Sequence, residues 1–553
     1  MSWHTFFTHL NIVILVFFLF EMHTFEAAPV GQNYIIIVDA GSSGSRMFVY
    51  TWQIKAESLS GLEDVEILKD VLGNPVVKKK SPGLSSFADK LSDIRDYISA
   101  LLDYAESHIP RSSQPNTPLF IMATAGMRLL TQTNQDAIWR NVRSHVKSTY
   151  KFQFEETYAY TISGVEEGLF GWIAVNYLLG RFRLLPGDEG PVKQPTNGML
   201  DMGGASMQIA YEVQSTDNLP NSLVSEFSVT RNWFSTNQRY KLYVKSYLGY
   251  GMNSFRKRYE EYLFQMYGTN SSSKQKASRI EDPCLLEGFN VTSELTPRPV
   301  IGEKLDSASD KISVQYTGTG NMSQCMQNVE PLLNLNQSCS PLPCAINNVA
   351  QLDPDFDSMK FYGLSEFYYT LETLKLIPPV QYNYSLVLRK IEETCSTPWE
   401  TYLSTLRNEN TNLSEEKFNS FVGFKKLICF KASYLVSAFH KGLHFPTNYE
   451  GLIPTLEINK TELQWSLGAL LYKLKATTID EEQKRETILL SVVIFCIVIV
   501  LILIAIMLYF TILKCLRTSK QEQNGSITTD MNNIESNVKS NNDTLNQLND
   551  KMP

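Results

Sequence analysis

A pattern that occurs twice restricts the fold of this chain more than any other feature: an apolar strand ends in Asp, a Gly-rich turn follows, and a second apolar strand leaves it. Tyr34 to Trp52 reads YIIIVD, AGSSGS, RMFVYTW, and Gly198 to Glu212 repeats the plan as GMLD, MGGAS, MQIAYE. Short apolar runs bounded by small turn residues are strand signals. Two copies about 160 residues apart amount to an approximate internal duplication and predict two related lobes facing one another. A chain of 553 residues is too long for one core and suits about two to four structural units, so a two-lobed body fits. Between the copies, Leu119 to Thr124 reads as a buried strand that breaks at Ala125-Gly126, and Gly168 to Leu179 carries helical apolar spacing. Helical stretches are expected around Val244 to Tyr262 and Phe361 to Leu376.

The turns are Asp39-Ala40-Gly41-Ser42-Ser43-Gly44-Ser45 and Asp201-Met202-Gly203-Gly204-Ala205-Ser206. Glycines let successive amide N–H groups point into one concavity, which binds phosphate oxygens without a lysine. The Asp beside each turn can hold a hydrated divalent cation. A single Asp-x-Gly turn is more often a plain hairpin turn, but two copies on matched strands favour a functional pair. No Gly-Lys-Ser/Thr occurs, which excludes a Walker-type site by its motif. A third motif, Thr161 to Trp172, sets Ser163 and Glu166 at capping-box spacing, so Glu166 has a local task at the helix start. Glu167 has no such task. At a helix entry near two phosphate turns its carboxylate suits proton abstraction from water; stabilisation of the helix dipole is the equally weighted alternative.

Composition sets the surroundings. Net charge is -7 and no Lys/Arg run forms a stripe, which speaks against nucleic acid as a partner. Thr487 to Leu513 carries no charge and is long enough to cross a bilayer as a helix; Lys514, Arg517 and Lys520 then favour a cytoplasmic C-terminus. A shorter apolar segment, Phe6 to Phe20, followed by Ala27 and Ala28, reads as a signal anchor or a cleaved signal peptide. Either reading leaves the intervening chain on the exoplasmic side. Six of the eight cysteines lie there, an even number suited to an oxidising compartment. Connectivity stays open, with sequence neighbours favoured: Cys284 with Cys325, Cys339 with Cys344 around a tight Pro-containing loop, and Cys395 with Cys429. Glycosylation sequons stand at Asn270, Asn290, Asn321, Asn336, Asn383, Asn412 and Asn459; those at Asn524 and Asn542 fall in the expected cytoplasmic tail and should be silent.

Five blocks in order, DAGSSGSR, ATAGMR, SGVEEGLFGWIAVNYLLG, LDMGGASMQIAYE and LQWSLGALLY, resemble those of the apyrase, or ecto-nucleoside triphosphate diphosphohydrolase, family. The resemblance implies an α/β fold of the actin/Hsp70/sugar-kinase type, with two ribonuclease-H-like lobes closing over nucleotide phosphates, flanked by membrane spans. The divisions expected on this reading are a signal anchor or signal peptide at 1–29, a first lobe with the first phosphate loop at 30–163, and a second lobe with the second loop and the disulfides at 164–444. A return to the first lobe at 445–486, a transmembrane helix at 487–513 and a disordered cytoplasmic tail at 514–553 complete the chain.

Carried over by motif, Glu167 resembles the family's general base, and Ser206 and Gln208 the groups that position the attacking water. Asp39 and Asp201 resemble the carboxylates that hold Ca²⁺ or Mg²⁺ through its water shell. Thr124, Ser42, Ser43, Gly44, Ser45, Gly203, Gly204 and Ala205 match nucleotide and phosphate contacts, and Tyr369 matches an aromatic that stacks on the base. Gly44 stands where surface members carry His, and Phe424 where an Arg is expected opposite Tyr369. Together with GRF at Gly180 to Phe182, FYGLSEFYY and FHKGLHFP, these departures resemble the Golgi and lysosomal branch, which favours nucleoside diphosphates. The implied activity is divalent-metal-dependent hydrolysis of nucleoside di- and triphosphates by a membrane protein whose catalytic part is lumenal or extracellular. A cell-surface ATP/ADP-degrading apyrase, a kinase or chaperone-like ATPase, and a non-catalytic receptor are the competing readings, and homo-oligomers stay open.

Overall fold

The computed structural model describes residues 33–52, 65–185, 192–213, 223–229, 238–267, 278–295, 312–335, 338–340, 343–474 and 490–520. The chain divides into two units, one ending at Tyr472 and one beginning at Lys473. The expected N-terminal span, the sequons at Asn270, Asn336, Asn524 and Asn542, and the tail beyond Lys520 lie outside the described residues.

Within the first unit the duplicated pattern becomes two sheets of one plan. Strands β1 (Asn33–Ala40) and β2 (Ser45–Trp52) form an antiparallel hairpin that sets Asp39 opposite Arg46. Short strands β3 (Glu66–Ile67) and β4 (Val77–Lys80) extend the β2 side. Strand β5 (Leu119–Ala123) runs parallel to β1, and β6 (Ala159–Thr161) parallel to β5. In the second sheet β7 (Gly198–Met202) and β8 (Ser206–Glu212) make the hairpin, and β9 (Val224–Val229) and β10 (Gln238–Leu248) extend the β8 side. An accessory sheet of β11 (Ser278–Asp282), β12 (Asn290–Leu295) and β13 (Ile312–Gly318), and a small ladder of β14 (Cys344–Ala345) with β15 (Val349–Ala350), follow. Strands β16 (Phe361–Ser365) and β17 (Leu452–Pro454) then complete the second sheet, parallel to β7.

Burial explains these assignments. Ile35 to Val38 are at most 1% exposed, as expected of a strand covered on both faces, whose sequence is apolar without alternation. Along β8 alternate residues Met207, Ile209 and Tyr211 join a core with helices Met252–Tyr267 and Ile428–Ser437. Helix Gly164–Leu178 packs on the second sheet and is buried from Glu167 to Asn176, which accounts for its all-round apolar sequence. Leu169, Phe170, Trp172 and Ile173 each contribute about 2 kcal/mol of burial to hold it. Gly168 makes the approach close enough, because a Cβ there would stand 2.7 Å from Val244 Cγ1.

Three expectations change. Val244 to Leu248 belong to β10, so the helix expected from Val244 begins only at Met252; Phe361 to Ser365 are likewise strand, with a helix from Glu366. In both segments pairing with a neighbouring strand overrides apolar spacing that also fits a helix. The second lobe was expected to end at 444, but Leu452 to Pro454 pair with β16, so its sheet continues to Pro454.

The neighbour pairing of cysteines holds: Cys284–Cys325, Cys339–Cys344 and Cys395–Cys429 are disulfides. In the second unit, helix Leu490–Lys520 is long and apolar enough to cross a membrane. It runs on through residues 514–520, which were expected to open the disordered tail.

Candidate active site

Asp39 and Asp201 sit near the carboxyl ends of β1 and β7, Thr124 directly follows β5 and Ser365 ends β16. Carboxyl edges of parallel strands are where open α/β sheets bind ligands. The two Gly-rich turns meet there. A Cβ added to Gly204 would stand 2.8 Å from Ser42 Oγ, and one added to Gly126 would stand 2.8 Å from Ser42 Cα. Only residues without side chains let the backbones converge this closely, which leaves amide N–H groups to line the gap.

Glu167 enters this gap from the first turn of helix Gly164–Leu178. Ser163 and Glu166 form the capping box, Glu166 Oε2 accepting from Ser163 N at 2.8 Å, so Glu166 is spent on the helix start. Glu167 Oε2 accepts from Arg128 Nη2 at 2.7 Å and from Gln208 Nε2 at 3.0 Å, whereas Oε1 meets no donor among the described residues. Gln208 Nε2 also donates to Ser206 Oγ at 2.7 Å and to Ser246 Oγ at 3.0 Å. One carboxylate oxygen is thus clamped and the other is free to accept a proton. Burial pushes the Glu167 carboxyl up to about 7, against the lowering effect of the Arg128 guanidinium. A base poised there works best near neutral pH. We expect kcat/KM to rise with pH through neutrality and level off above about 8, since only the ionised carboxylate accepts a proton; a pH–rate profile checks this, and a rate falling across that interval contradicts it.

The two aspartates carry a different signal. Asp39 Oδ1 and Asp201 Oδ1 are buried without a hydrogen-bond partner among the described residues. Burial raises the Asp39 carboxyl to about 7, with Arg46 offsetting part of the rise and Glu167 and Asp201 adding to it. Burial also raises Asp201, partly offset by a hydrogen bond from the Ser365 side chain and by Arg46. Sealed carboxylate oxygens without donors are costly unless a cation meets them. Among the described residues no three His, Cys, Asp or Glu side chains cluster to hold a metal ion. Two acids and no third ligand fit a hydrated cation held through its water shell, as hard divalent ions accept.

The other expected residues divide. Thr124 is buried at the end of β5, and its side chain makes no cap bond at the Ala125–Arg128 turn. Ser45 departs from expectation: it is buried, and its hydroxyl accepts from Tyr97 at 2.8 Å. Tyr369 is exposed on helix Glu366–Thr373, and Phe424 is exposed on helix Glu415–Lys425. Lys425 Nζ ties those helices together through Glu372 Oε2 at 2.5 Å and Thr373 Oγ1 at 2.7 Å. Arg128, Ser246, Ser365 and Trp465, whose side chain lowers the Asp39 carboxyl, were not singled out in the sequence. Arg128 and Trp465 lie inside the blocks ATAGMR and LQWSLGALLY, where they could have been found; Ser246 had no local signal.

A family model, GDA1/CD39 (nucleoside phosphatase) family, matches residues 26–488. The chain belongs to that family. It is 34% identical over 478 residues to the ectonucleoside triphosphate diphosphohydrolase 4 of Mus musculus, covering 80% of this chain and 73% of that protein. It is 30% identical over 479 residues to the nucleoside-diphosphatase mig-23 of Caenorhabditis elegans, covering 84% and 81%. A nucleoside triphosphate hydrolase of Neospora caninum shares the fold, with a TM-score of 0.54 at 16% identity over 85% of this chain and 97% of that one. This phosphatase is therefore a hydrolase of nucleoside tri- and diphosphates, with relatives in the diphosphatase branch that its departures from the surface pattern anticipated. The family is divalent-cation dependent, in keeping with the two orphan carboxylate oxygens.

Proposed function

We propose that this phosphatase removes the terminal phosphate of nucleoside di- and triphosphates by direct attack of a water whose proton passes to Glu167 Oε1. The observation that carries the reading is the carboxylate clamped at Oε2 by Arg128 and Gln208, beside Ser206 and next to the converged phosphate turns. Ser206 and Gln208 orient the water, and the amides of Ser42 to Gly44 and of Gly204 and Ala205, with Thr124, hold phosphate oxygens; the Gly203 amide is already given to the Ser206 carbonyl at 3.0 Å. Asp39 and Asp201 would hold Ca²⁺ or Mg²⁺ through water, and the bound ion would supply neutralising charge to the phosphates. Such a site works by orientation and charge stabilisation and needs no phosphoenzyme. Chromatographic product analysis tests the bond broken: diphosphate and then monophosphate are expected from a triphosphate, and released pyrophosphate contradicts the reading.

Substrate choice follows from the exposed pair Tyr369 and Phe424. Phe424 stacks but offers no guanidinium donors or charge, and losing a cation–π partner costs about 0.5–2 kcal/mol. UDP or GDP should be hydrolysed at least as well as ADP, and Phe424→Arg should raise relative activity on adenine nucleotides several-fold. A parent protein that prefers ATP strongly over every diphosphate would favour the surface-apyrase reading instead.

The three disulfides suit an oxidising lumen or the cell exterior, and the apolar helix suits a membrane anchor. The described sequons Asn290, Asn321, Asn383, Asn412 and Asn459 are all exposed. Glycopeptide mapping should find sugar between Asn270 and Asn459, with Asn524 and Asn542 bare; glycans on the tail would invert the topology.

A further inference from the structure

We propose that Ser246 is a positioning residue for the hydrolysis: it fixes the Gln208 amide and, through it, the Glu167 carboxylate and the Ser206 hydroxyl, an inference that rests on Glu167 as the general base. Gln208 and Ser246 stand directly opposite each other on β8 and β10, and residues in that register share a face of the sheet. Gln208 Nε2 is 2.7 Å from Ser206 Oγ, 3.0 Å from Glu167 Oε2 and 3.0 Å from Ser246 Oγ. The two hydrogens of the amide therefore serve three oxygens. Arg128 Nη2 feeds two of the same acceptors, Glu167 Oε2 at 2.7 Å and Ser206 Oγ at 3.2 Å. Each donor side chain also has a hold outside that pair: Arg128 Nη1 on the Ile162 carbonyl at 3.0 Å, and Gln208 Nε2 on Ser246. A terminal carboxamide swings easily about its last bond, and Ser246 limits that swing from β10, an interior strand between β8 and β9.

The same serine seats the helix that carries Glu167. Gly164 and Gly168 lie about one turn apart on helix Gly164–Leu178, and Ser246 and Val244 lie on one face of β10. A Cβ added to Gly164 would stand 2.3 Å from Ser246 Cβ, and one added to Gly168 would stand 2.7 Å from Val244 Cγ1. Two glycines thus let the helix down onto these two residues, and Glu167 belongs to the turn between them. Glu167 and Gln208 come from different elements, so a third element, β10, sets their separation: the Ser246 Cβ seats the helix and its hydroxyl holds the amide.

Phosphate release from UDP with Ca²⁺ by the detergent-solubilised full chain, measured over a double-mutant cycle, tests this. Ser246→Ala keeps the Cβ that seats the helix and removes the hydroxyl. We expect it to lower kcat about tenfold, within what misplacement of a catalytic group costs. Affinity for α,β-methylene UDP should stay within about twofold, and the thermal midpoint within about 3 °C of the parent. On a Gln208→Ala background the same substitution should change kcat by less than about twofold, because residues that act as a unit are not additive. A serine that serves only the fold would give the same loss on both backgrounds, and that result overturns the inference; so does a Ser246→Ala chain as fast as the parent. Glu167→Gln separates the two readings. If it loses about a hundredfold while Ser246→Ala gives either of those results, the assignment of Ser246 alone is wrong; near-normal turnover of Glu167→Gln removes the base and this inference with it.

Discussion

Glu167→Gln is expected to lower turnover about a hundredfold or more while nucleotide still binds, the range a positioned general base contributes. The amide keeps the shape of the carboxylate. Arg128 Nη2 and Gln208 Nε2 stand 2.7 and 3.0 Å from the present Oε2, so the glutamine oxygen settles against these donors and its NH₂ turns to the water. That group cannot take a proton. The loss should therefore appear in kcat, with the affinity for a non-hydrolysable nucleotide changed by less than about threefold. Phosphate release and calorimetry on the same preparation check both halves. Near-normal turnover would move the base elsewhere, and Glu166 is a poor second candidate because its carboxylate already closes the capping box.

Chelation is expected to have the other large effect: EDTA should abolish phosphate release, and either Ca²⁺ or Mg²⁺ should restore it. Asp39 and Asp201 each bring a buried oxygen without a donor, and hard carboxylate oxygens suit both ions. Without a cation these two acids and the substrate phosphates share one small volume, and like charges at short range oppose binding. Asp201→Asn should raise the cation concentration needed for half-maximal rate by about tenfold or more, the loss of one charge-assisted contact. Full activity in EDTA refutes the cation's role.

What was legible in the sequence was whatever is encoded locally. The Asp–Gly turns announced themselves because strand, turn and strand are contiguous, and Glu167 stood out because its neighbour Glu166 had an assigned cap. The phosphate-turn assignment was less secure residue by residue: Ser45 fits the motif but serves the fold through Tyr97. Ser246 and Ser365 were not legible as site residues. Ser246 reaches Gln208 across the β8–β10 pairing, and Ser365 is set next to the Asp201 register position by a parallel pairing of strands about 160 residues apart, and no local pattern specifies such a register. The same long-range pairing moved the end of the second lobe to Pro454. The disulfides were legible only as favoured neighbours, since connectivity is set by which loops the fold brings together.

Phosphate release from ATP, ADP, UTP, UDP, GTP and GDP by the full chain, measured with Ca²⁺, with Mg²⁺ and with EDTA, tests the central claim most directly. A cation-dependent release from nucleoside diphosphates and triphosphates, with UDP or GDP at least as fast as ADP, is the result this site predicts. Release from none of them with either ion, or equal release in EDTA, would contradict it.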